Sequence, residues 1–489
     1  MRYDPEACPS RSASASACAM SALALFLALC GCAPVGPNYL RPAAILSPQY
    51  KEIAGWKIAS PRDAEIKRDW WTSMHDAELD RLEPMISVTN QNVAAAEANY
   101  RQALALVAEA RASLFPTLGL APSAERDSAL GTVLSVQGSV NWTLDIWGEA
   151  RRQVESQEAN AEKLDAALAN ARLASQLALA LAYVQLRQAD SAQTMLAATS
   201  VEFRKALEIT RDQYKAGTAQ SSDVDRADSN LMAAKADEVE SLIARSKDEH
   251  AIAVLVGQPP EELAIARGAL PASMPAPPIV LPSELLERRP DIAAAERAMA
   301  QANAEIGVAF AGYFPRVSLT GSYGYTNASS ASQALSGASH LLQQVSGAGA
   351  AWNFGLSLSQ ALFDAGATDA RVAAARAAYE ASVASYRQTV LTALQSVEDQ
   401  LGSIHRLERE RAYRSSAVKD DKHALDVIFQ QYQAGAQTYV NVSTADTVWL
   451  TDQEAELTTR AASLSAVVNL VAALGGGWDA TELAADAGK

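Results

Sequence analysis

Hydrophobic and polar positions along this chain keep two rhythms, which follow one another in a fixed order that is run through twice. From about Ala77 to Ser113 apolar residues recur at three- and four-residue spacing, as in Val93, Ala96, Tyr100, Leu104 and Val107, which predicts helix. Phe115-Pro116 ends it. Leu134, Val136, Gly138, Val140, Trp142 and Leu144 then alternate with Ser135, Gln137, Ser139, Asn141 and Thr143, the period of two expected of a strand with one apolar and one polar face. The pattern returns after Phe314-Pro315 in Val317, Leu319, Gly321, Tyr323 and Tyr325, and again in Trp352, Phe354, Leu356 and Leu358. Each Phe-Pro is thus expected to lead into an up strand and a down strand, the first up strand being the least regular because Pro122 interrupts it. Downstream, Gly148 to Gly217 and Gly366 to Gly435 each run for 69 positions without proline, about 100 Å of helix at 1.5 Å per residue. After each closing glycine the helical pattern resumes at once, in SSDVDRADSNLMAAK and YVNVSTADTVWLTDQ, which predicts a helix-turn-helix tip with a shorter return helix.

The two runs are copies. NVAAAEA at 92–98 matches DIAAAERA at 291–298, and Phe115-Pro116 matches Phe314-Pro315 at the same offset of 199. Gly148 and Gly366, QYKAG and QYQAG, and Gly257 and Gly475 then match at an offset of 218. One length change of 19 residues lies between Phe-Pro and the glycine that opens the long helix, so that stretch contains surface loops. A period this long is a duplicated module and not a solenoid unit.

Composition narrows the class. The chain has 489 residues, 49% of them hydrophobic but only 6% aromatic, and it is crowded with alanine, as closely packed long helices require. The net charge of −15 argues against nucleic acid as a partner and against docking on anionic lipid. Beyond the N-terminus no apolar run is expected to reach the roughly 18 residues of a membrane helix. No phosphate loop, His-Glu-x-x-His or Gly-x-Ser-x-Gly motif occurs, and the five histidines lack ligand spacing, so no enzyme, metal or cofactor is expected.

Ala17 to Leu29 is apolar and of signal-peptide length, and it ends in Leu29-Cys30-Gly31-Cys32, which resembles the bacterial lipoprotein box with Cys32 as the acylated residue. The remaining cysteines, Cys8, Cys18 and Cys30, would leave with the signal, so no disulfide is expected. APVGPNYLRP then reads as an extended tether running over a surface. The boundaries are signal 1–31, tether 32–72, first repeat 73–272 (strands about 117–145, helix 148–217), second repeat 273–479 (strands about 316–362, helix 366–435) and tail 480–489.

The alternating strands admit two explanations: a half-buried sheet on a soluble core, or barrel strands in a membrane, for which their length and aromatics suit. Four strands cannot close a barrel and open edges do not survive in lipid, so membrane strands would have to be pooled by several chains, and three chains would give 12.

Taken in order, the acylated Cys32 with VGPNYLRP, the two copies of helix, Phe-Pro, strand pair, long helix, YxAG turn and return helix, and the closing LGGGW at 474–478 resemble the outer-membrane factors of tripartite efflux pumps. They are similar to the lipoprotein branch of the TolC-like family, of OprM/NodT type. Ala33 differs from the aspartate that retains lipoproteins in the inner membrane, which favours the outer membrane. The resemblance implies a mainly α fold with a small membrane β-barrel. It also implies a homotrimer with a 12-stranded outer-membrane barrel and a long periplasmic α-helical barrel, a passive conduit energised by an inner-membrane pump through a periplasmic adaptor (membrane fusion) protein. It further implies that the turns at Gly217, Thr218, Ala219 and Gly435, Ala436, Gln437 face the adaptor. Ser222, Asp223, Asp225, Arg226, Asn441 and Thr444 would line or brace a periplasmic aperture. Asn441 and Thr444 stand where TolC itself has aspartates, so Asp223 is the candidate for an acidic ring, with helix capping as its plainer role. Tyr214 and Tyr432 are expected to pack between helices. The same channel serving type I protein secretion or oligosaccharide export, and a lipid-anchored periplasmic coiled-coil scaffold, are the alternatives.

Overall fold

The computed structural model describes residues 34–43, 49–52, 69–127, 131–272, 288–329 and 349–478. A short 3-10 turn at Trp70–Met74 precedes α1 (Ala77–Thr89), α2 (Gln91–Ala112), β1 (Thr117–Asp127), β2 (Gly131–Leu144), α3 (Glu149–Lys215) and α4 (Ser221–Leu255). The second copy supplies α5 (Pro290–Ala311), β3 (Arg316–Ser329), β4 (Gly349–Ser359), α6 (Ala367–Gln433) and α7 (Tyr439–Ala473). The duplication is kept to the residue: α2 and α5 have 22 residues each, α3 and α6 have 67, and α4 and α7 have 35. The six matched glycines explain why. Gly148 and Gly366 have φ of 85° and 84°, Gly217 and Gly435 both 77°, and Gly257 and Gly475 69° and 97°, all left-handed and so open to glycine at least cost.

Three details differ from the sequence pattern. The helix expected over 77–113 is two, because Asn90 takes an extended backbone (ψ 124°) and its Oδ1 accepts from the Asn92 and Val93 N–H groups at 2.9 and 3.0 Å, capping α2. Pro122 lies inside β1, which is tolerated because β1 is an edge strand. Most of the length difference between the copies falls between Ser329 and Gly349, outside the described residues.

All four strands form one antiparallel sheet in the order β1-β2-β3-β4, with β1 and β4 at its open edges. Contacts divide the chain into two compact units, each drawing on both copies. The first holds Met1–Leu40, Leu104–Ala159 and Met299–Ala381, with the sheet. The second holds Arg41–Ala103, Asn160–Ala298 and Ser382–Lys489, and its main core joins Leu79, Leu82 and Ile86 of α1 to Leu179 and Tyr183 of α3, Ile252 of α4, Val397 and Leu401 of α6, and Val468 and Leu470 of α7. One stretch within α3 does meet the length and hydropathy of a membrane span, contrary to expectation. The burial of Leu179, Ala180, Tyr183 and Leu186 in that helical core accounts for apolar positions in α3.

Candidate channel wall and helix-hairpin turns

Register decides what the sheet can do. Leu118, Val140, Gly321 and Phe354 lie side by side across the four strands, as do Leu120, Gly138, Tyr323 and Trp352; Trp142, Leu319 and Leu356 continue the same face. The opposite face carries Thr117, Asn141 and Thr320 in one row, Ser139, Ser322 and Asn353 in the next, and Thr143, Ser318 and Ser357 in a third. A half-buried soluble sheet would cover its apolar face. Here Leu118 is 80% exposed, Trp352 76% and Phe354 70%, so that face is left bare by the described residues, and an apolar surface of this kind marks a membrane or partner contact.

Aromatic residues bound the apolar band. At one end Trp147 stacks on Phe314 at 4.8 Å and donates its indole N–H to the Pro315 carbonyl at 2.9 Å, while Trp142 donates to Leu114 at 3.0 Å. At the other end Tyr323 and Tyr325 share a 2.8 Å hydroxyl hydrogen bond beside Trp352. From Phe314 to Tyr323 the strand advances about 30 Å, or about 23 Å across a bilayer at a typical barrel tilt, close to the apolar height of an outer-membrane barrel.

The tether is clamped, which the sequence pattern did not announce. Arg152, 1% exposed, donates through Nε to the Val35 carbonyl (3.0 Å) and through one terminal nitrogen to the carbonyl of Gly36 (3.3 Å) and Oδ1 of Asn38 (2.9 Å), while Glu155 balances its charge at 2.7 Å. Asn303 donates to the Pro37 carbonyl at 3.0 Å, and Val35 N–H to Trp147 at 2.9 Å. Gly36 and Gly307 meet so closely that a Cβ on Gly36 would lie 2.6 Å from the Gly307 Cα. Arg152→Ala therefore removes a buried side chain and its hydrogen bonds to the half-buried Val35 and Gly36 carbonyls, and we expect a loss of about 2–4 kcal/mol. Limited proteolysis should release the N-terminal segment at least about tenfold faster; an unchanged cleavage rate would show that the clamp does not hold the tether.

Both expected turns are present. Gly217 and Gly435 end α3 and α6 in matching wraps: Thr218 N–H reaches the Gln213 carbonyl and Ala436 N–H the Gln431 carbonyl, each at 2.9 Å. Nothing lies within 4 Å of a Cβ built on either glycine, so conformation and not crowding requires them. Thr218, Ala219, Ala436 and Gln437 follow at half-exposed to exposed positions. Asp223 is not the cap itself: Gln220 is, and Asp223, third in α4, accepts the Gln220 N–H at 3.2 Å. Asn441 at the matching place has no carboxylate to do this and donates its amide to Gln437 Oε1 instead. Ser222, Asp225, Arg226 and Thr444 are exposed; Ser222 bonds Gln220 Oε1 at 3.4 Å and Thr444 the Val440 carbonyl at 2.9 Å. Ser222, Asp223, Asp225 and Arg226 lie on α4 of the first hairpin, and Asn441 and Thr444 on α7 of the second.

What joins the hairpins lies just behind the turns. Phe203, Leu207, Leu231, Leu425, Tyr432, Tyr439 and Val442 form a second apolar core. Tyr432 is buried as expected and shares a 2.9 Å hydrogen bond with Thr210, whereas Tyr214 is 51% exposed and packs in no core, against expectation. Asn230 donates to Ser443 at 2.8 Å. Asp446 is buried beside this core; burial, with the Glu202 charge adding to it and Lys422 opposing, pushes its carboxyl up to about 7. Lys422 also lies 4.6 Å over the Trp449 ring and 2.9 Å from Asp426. No repeat or motif pointed to Asn230, Ser443 or Asp446, because their pairing depends on how two hairpins meet.

Known proteins share this architecture. The solved outer-membrane channel OprN superimposes with a TM-score of 0.80 at 30% identity, over 91% of this chain and 99% of that one. Outer membrane protein OprJ of Pseudomonas aeruginosa is 28% identical, over 93% of this chain and 95% of its own length. Pyoverdine export outer membrane protein OpmQ of the same species is 29% identical over the same shares. The model of the outer membrane efflux protein family matches residues 85–258 and 281–476, one segment in each copy of the repeat, and the chain belongs to that family.

Proposed function

We propose that this chain is the outer-membrane conduit of an efflux pump, a passive channel through which small molecules leave the cell. The bare apolar face, in register across four strands whose two edges are open, carries this reading. Unpaired backbone edges are not tolerated in hydrocarbon, so neighbouring chains must complete the wall. A homotrimer pooling 12 strands fits, with the polar face, mostly hydroxyl and amide groups, toward the lumen. The family whose model matches is described as outer membrane efflux protein, which favours efflux over protein secretion; a soluble scaffold would leave the apolar face unexplained.

In this reading the turns at Gly217 to Ala219 and Gly435 to Gln437 receive a periplasmic adaptor, which links the channel to an inner-membrane pump. Ser222, Asp223, Asp225, Arg226, Asn441 and Thr444 border the aperture, and Asp223 contributes its acidic ring. Cys32 lies outside the described residues. Acylation of Cys32 belongs to the same reading.

The test is to purify the Cys32→Ser protein behind a cleavable signal peptide and measure its native mass. A detergent-requiring trimer that restores drug tolerance to a deletion strain when expressed with its anchor is the expected result. A monomer soluble without detergent would overturn the channel.

A further inference from the structure

The apolar face of the sheet is not a smooth wall. Gly138 in β2 and Gly321 in β3 both fall in its apolar rows, where every neighbouring row position carries a larger side chain. Gly138 stands opposite Tyr323, and Gly321 opposite Val140 and Phe354. Two missing side chains in adjacent strands leave a hollow floored by backbone and walled by Leu120, Val136, Tyr323, Tyr325, Trp352 and Phe354, with a volume of about 630 Å³. That is the size of a small-molecule site, and it is almost wholly apolar. Its lining comes from all four strands of one chain.

Its position says what fills it. The hollow reaches from the middle of the apolar band to the Tyr323–Tyr325 end, away from the Trp147–Phe314 end where the strands leave the helices. At that depth the surrounding solvent is acyl chain, and an empty apolar hollow would forfeit the dispersion contacts of its whole lining. The two phenols hydrogen-bond each other at 2.8 Å and keep further donor and acceptor capacity at the mouth, where the ester region of a lipid lies. We infer that this hollow is a lipid site, which seats one acyl chain of an outer-leaflet lipid against the glycine floor with its ester region at the Tyr323–Tyr325 pair. The inference rests on the membrane reading of the sheet.

Filling the floor tests it. A Cβ on Gly138 would lie no closer than 3.6 Å to any neighbour, the Tyr323 carbonyl, and one on Gly321 would meet Phe354 at 3.6 Å, so both sites accept side chains without displacing backbone. The Gly138→Val, Gly321→Leu protein and the wild type are extracted in mild detergent, stripped of lipid in stages and weighed as intact assemblies. The wild type is expected to keep one tightly held lipid per chain after free lipid is gone, and the filled protein at least about fivefold less. As a second reading, a brominated-chain lipid added to the stripped wild type should quench a saturable part of the fluorescence that is lost in Trp352→Phe. Equal retention by both proteins, retention of detergent only, or quenching that does not saturate overturns the lipid site. Failure of the channel reading looks different, because the same mass spectrum then shows no trimer.

Discussion

Asp190→Ala should cost about 3–5 kcal/mol of stability, more than any other single substitution considered, because it leaves two guanidinium groups facing a buried vacancy. The Asp190 side chain is 2% exposed and accepts from Arg187 at 3.0 Å, from Arg245 at 2.7 Å and from the Gly268 N–H at 3.1 Å. Arg187 donates in addition to the Tyr183 hydroxyl at 2.6 Å and the Ala266 carbonyl at 2.7 Å, and Arg245 to the Ile265 carbonyl at 2.6 Å. Glu249 answers by accepting the Ile265 N–H at 2.7 Å. The network therefore pins the segment after α4 to both α3 and α4. Chemical denaturation followed by helical circular dichroism should show the loss, and Asp190→Asn, which keeps an acceptor oxygen, should show a smaller one. Equal stability of wild type and Asp190→Ala would mean that water replaces the carboxylate freely and that the network is not a core element.

Glu83→Leu should act in the opposite direction and raise stability at neutral pH. Glu83 is fully buried in α1 among Leu79, Leu82 and Ile86, and among the described residues neither carboxyl oxygen has a hydrogen-bond partner. Burial pushes its pKa up to about 9 from an ordinary 4.5, so the folded protein carries a neutral acid here. Because the folded pKa lies above the unfolded one, the penalty is absent below about pH 4.5, grows as pH rises and levels off near pH 9. At pH 7 it amounts to about 3 kcal/mol. The wild type should lose stability steadily between pH 5 and 9, while Glu83→Leu should be flatter across that window and more stable at pH 7. A parallel pH profile for the two proteins would mean that Glu83 ionises without cost.

How much of this was open to reading from sequence follows from the range of the interactions. The period-two strands, the long helices and the turn glycines are local properties, and each was stated twice, so Gly217 could be checked against Gly435 and the 67-residue helices against each other. The break at Asn90 was hidden because its cap signal lies inside a continuous apolar rhythm, and its amide is fixed by the distant Leu255 carbonyl at 2.6 Å. Tyr214 and Tyr432 are indistinguishable in the repeat, yet only one meets the other hairpin. The Asp190 network left no trace in the repeat: the positions matching Arg187, Asp190 and Arg245 are His405, Glu408 and Ser463, so comparison of the copies gives no signal for it. Arg152 belongs to the same class, since its partners lie more than a hundred residues away in the tether.

The open edges at β1 and β4 also have a consequence for heredity. In the proposed ring, a chain damaged along one edge would still present a sound strand on the other, so healthy neighbours would take it up and it would spoil the ring they would have closed. In a cell expressing both alleles equally, most rings of three would include a faulty member. Lesions of the strand edges should therefore be inherited as dominant traits, whereas lesions that unfold the chain before it meets its neighbours should remain recessive.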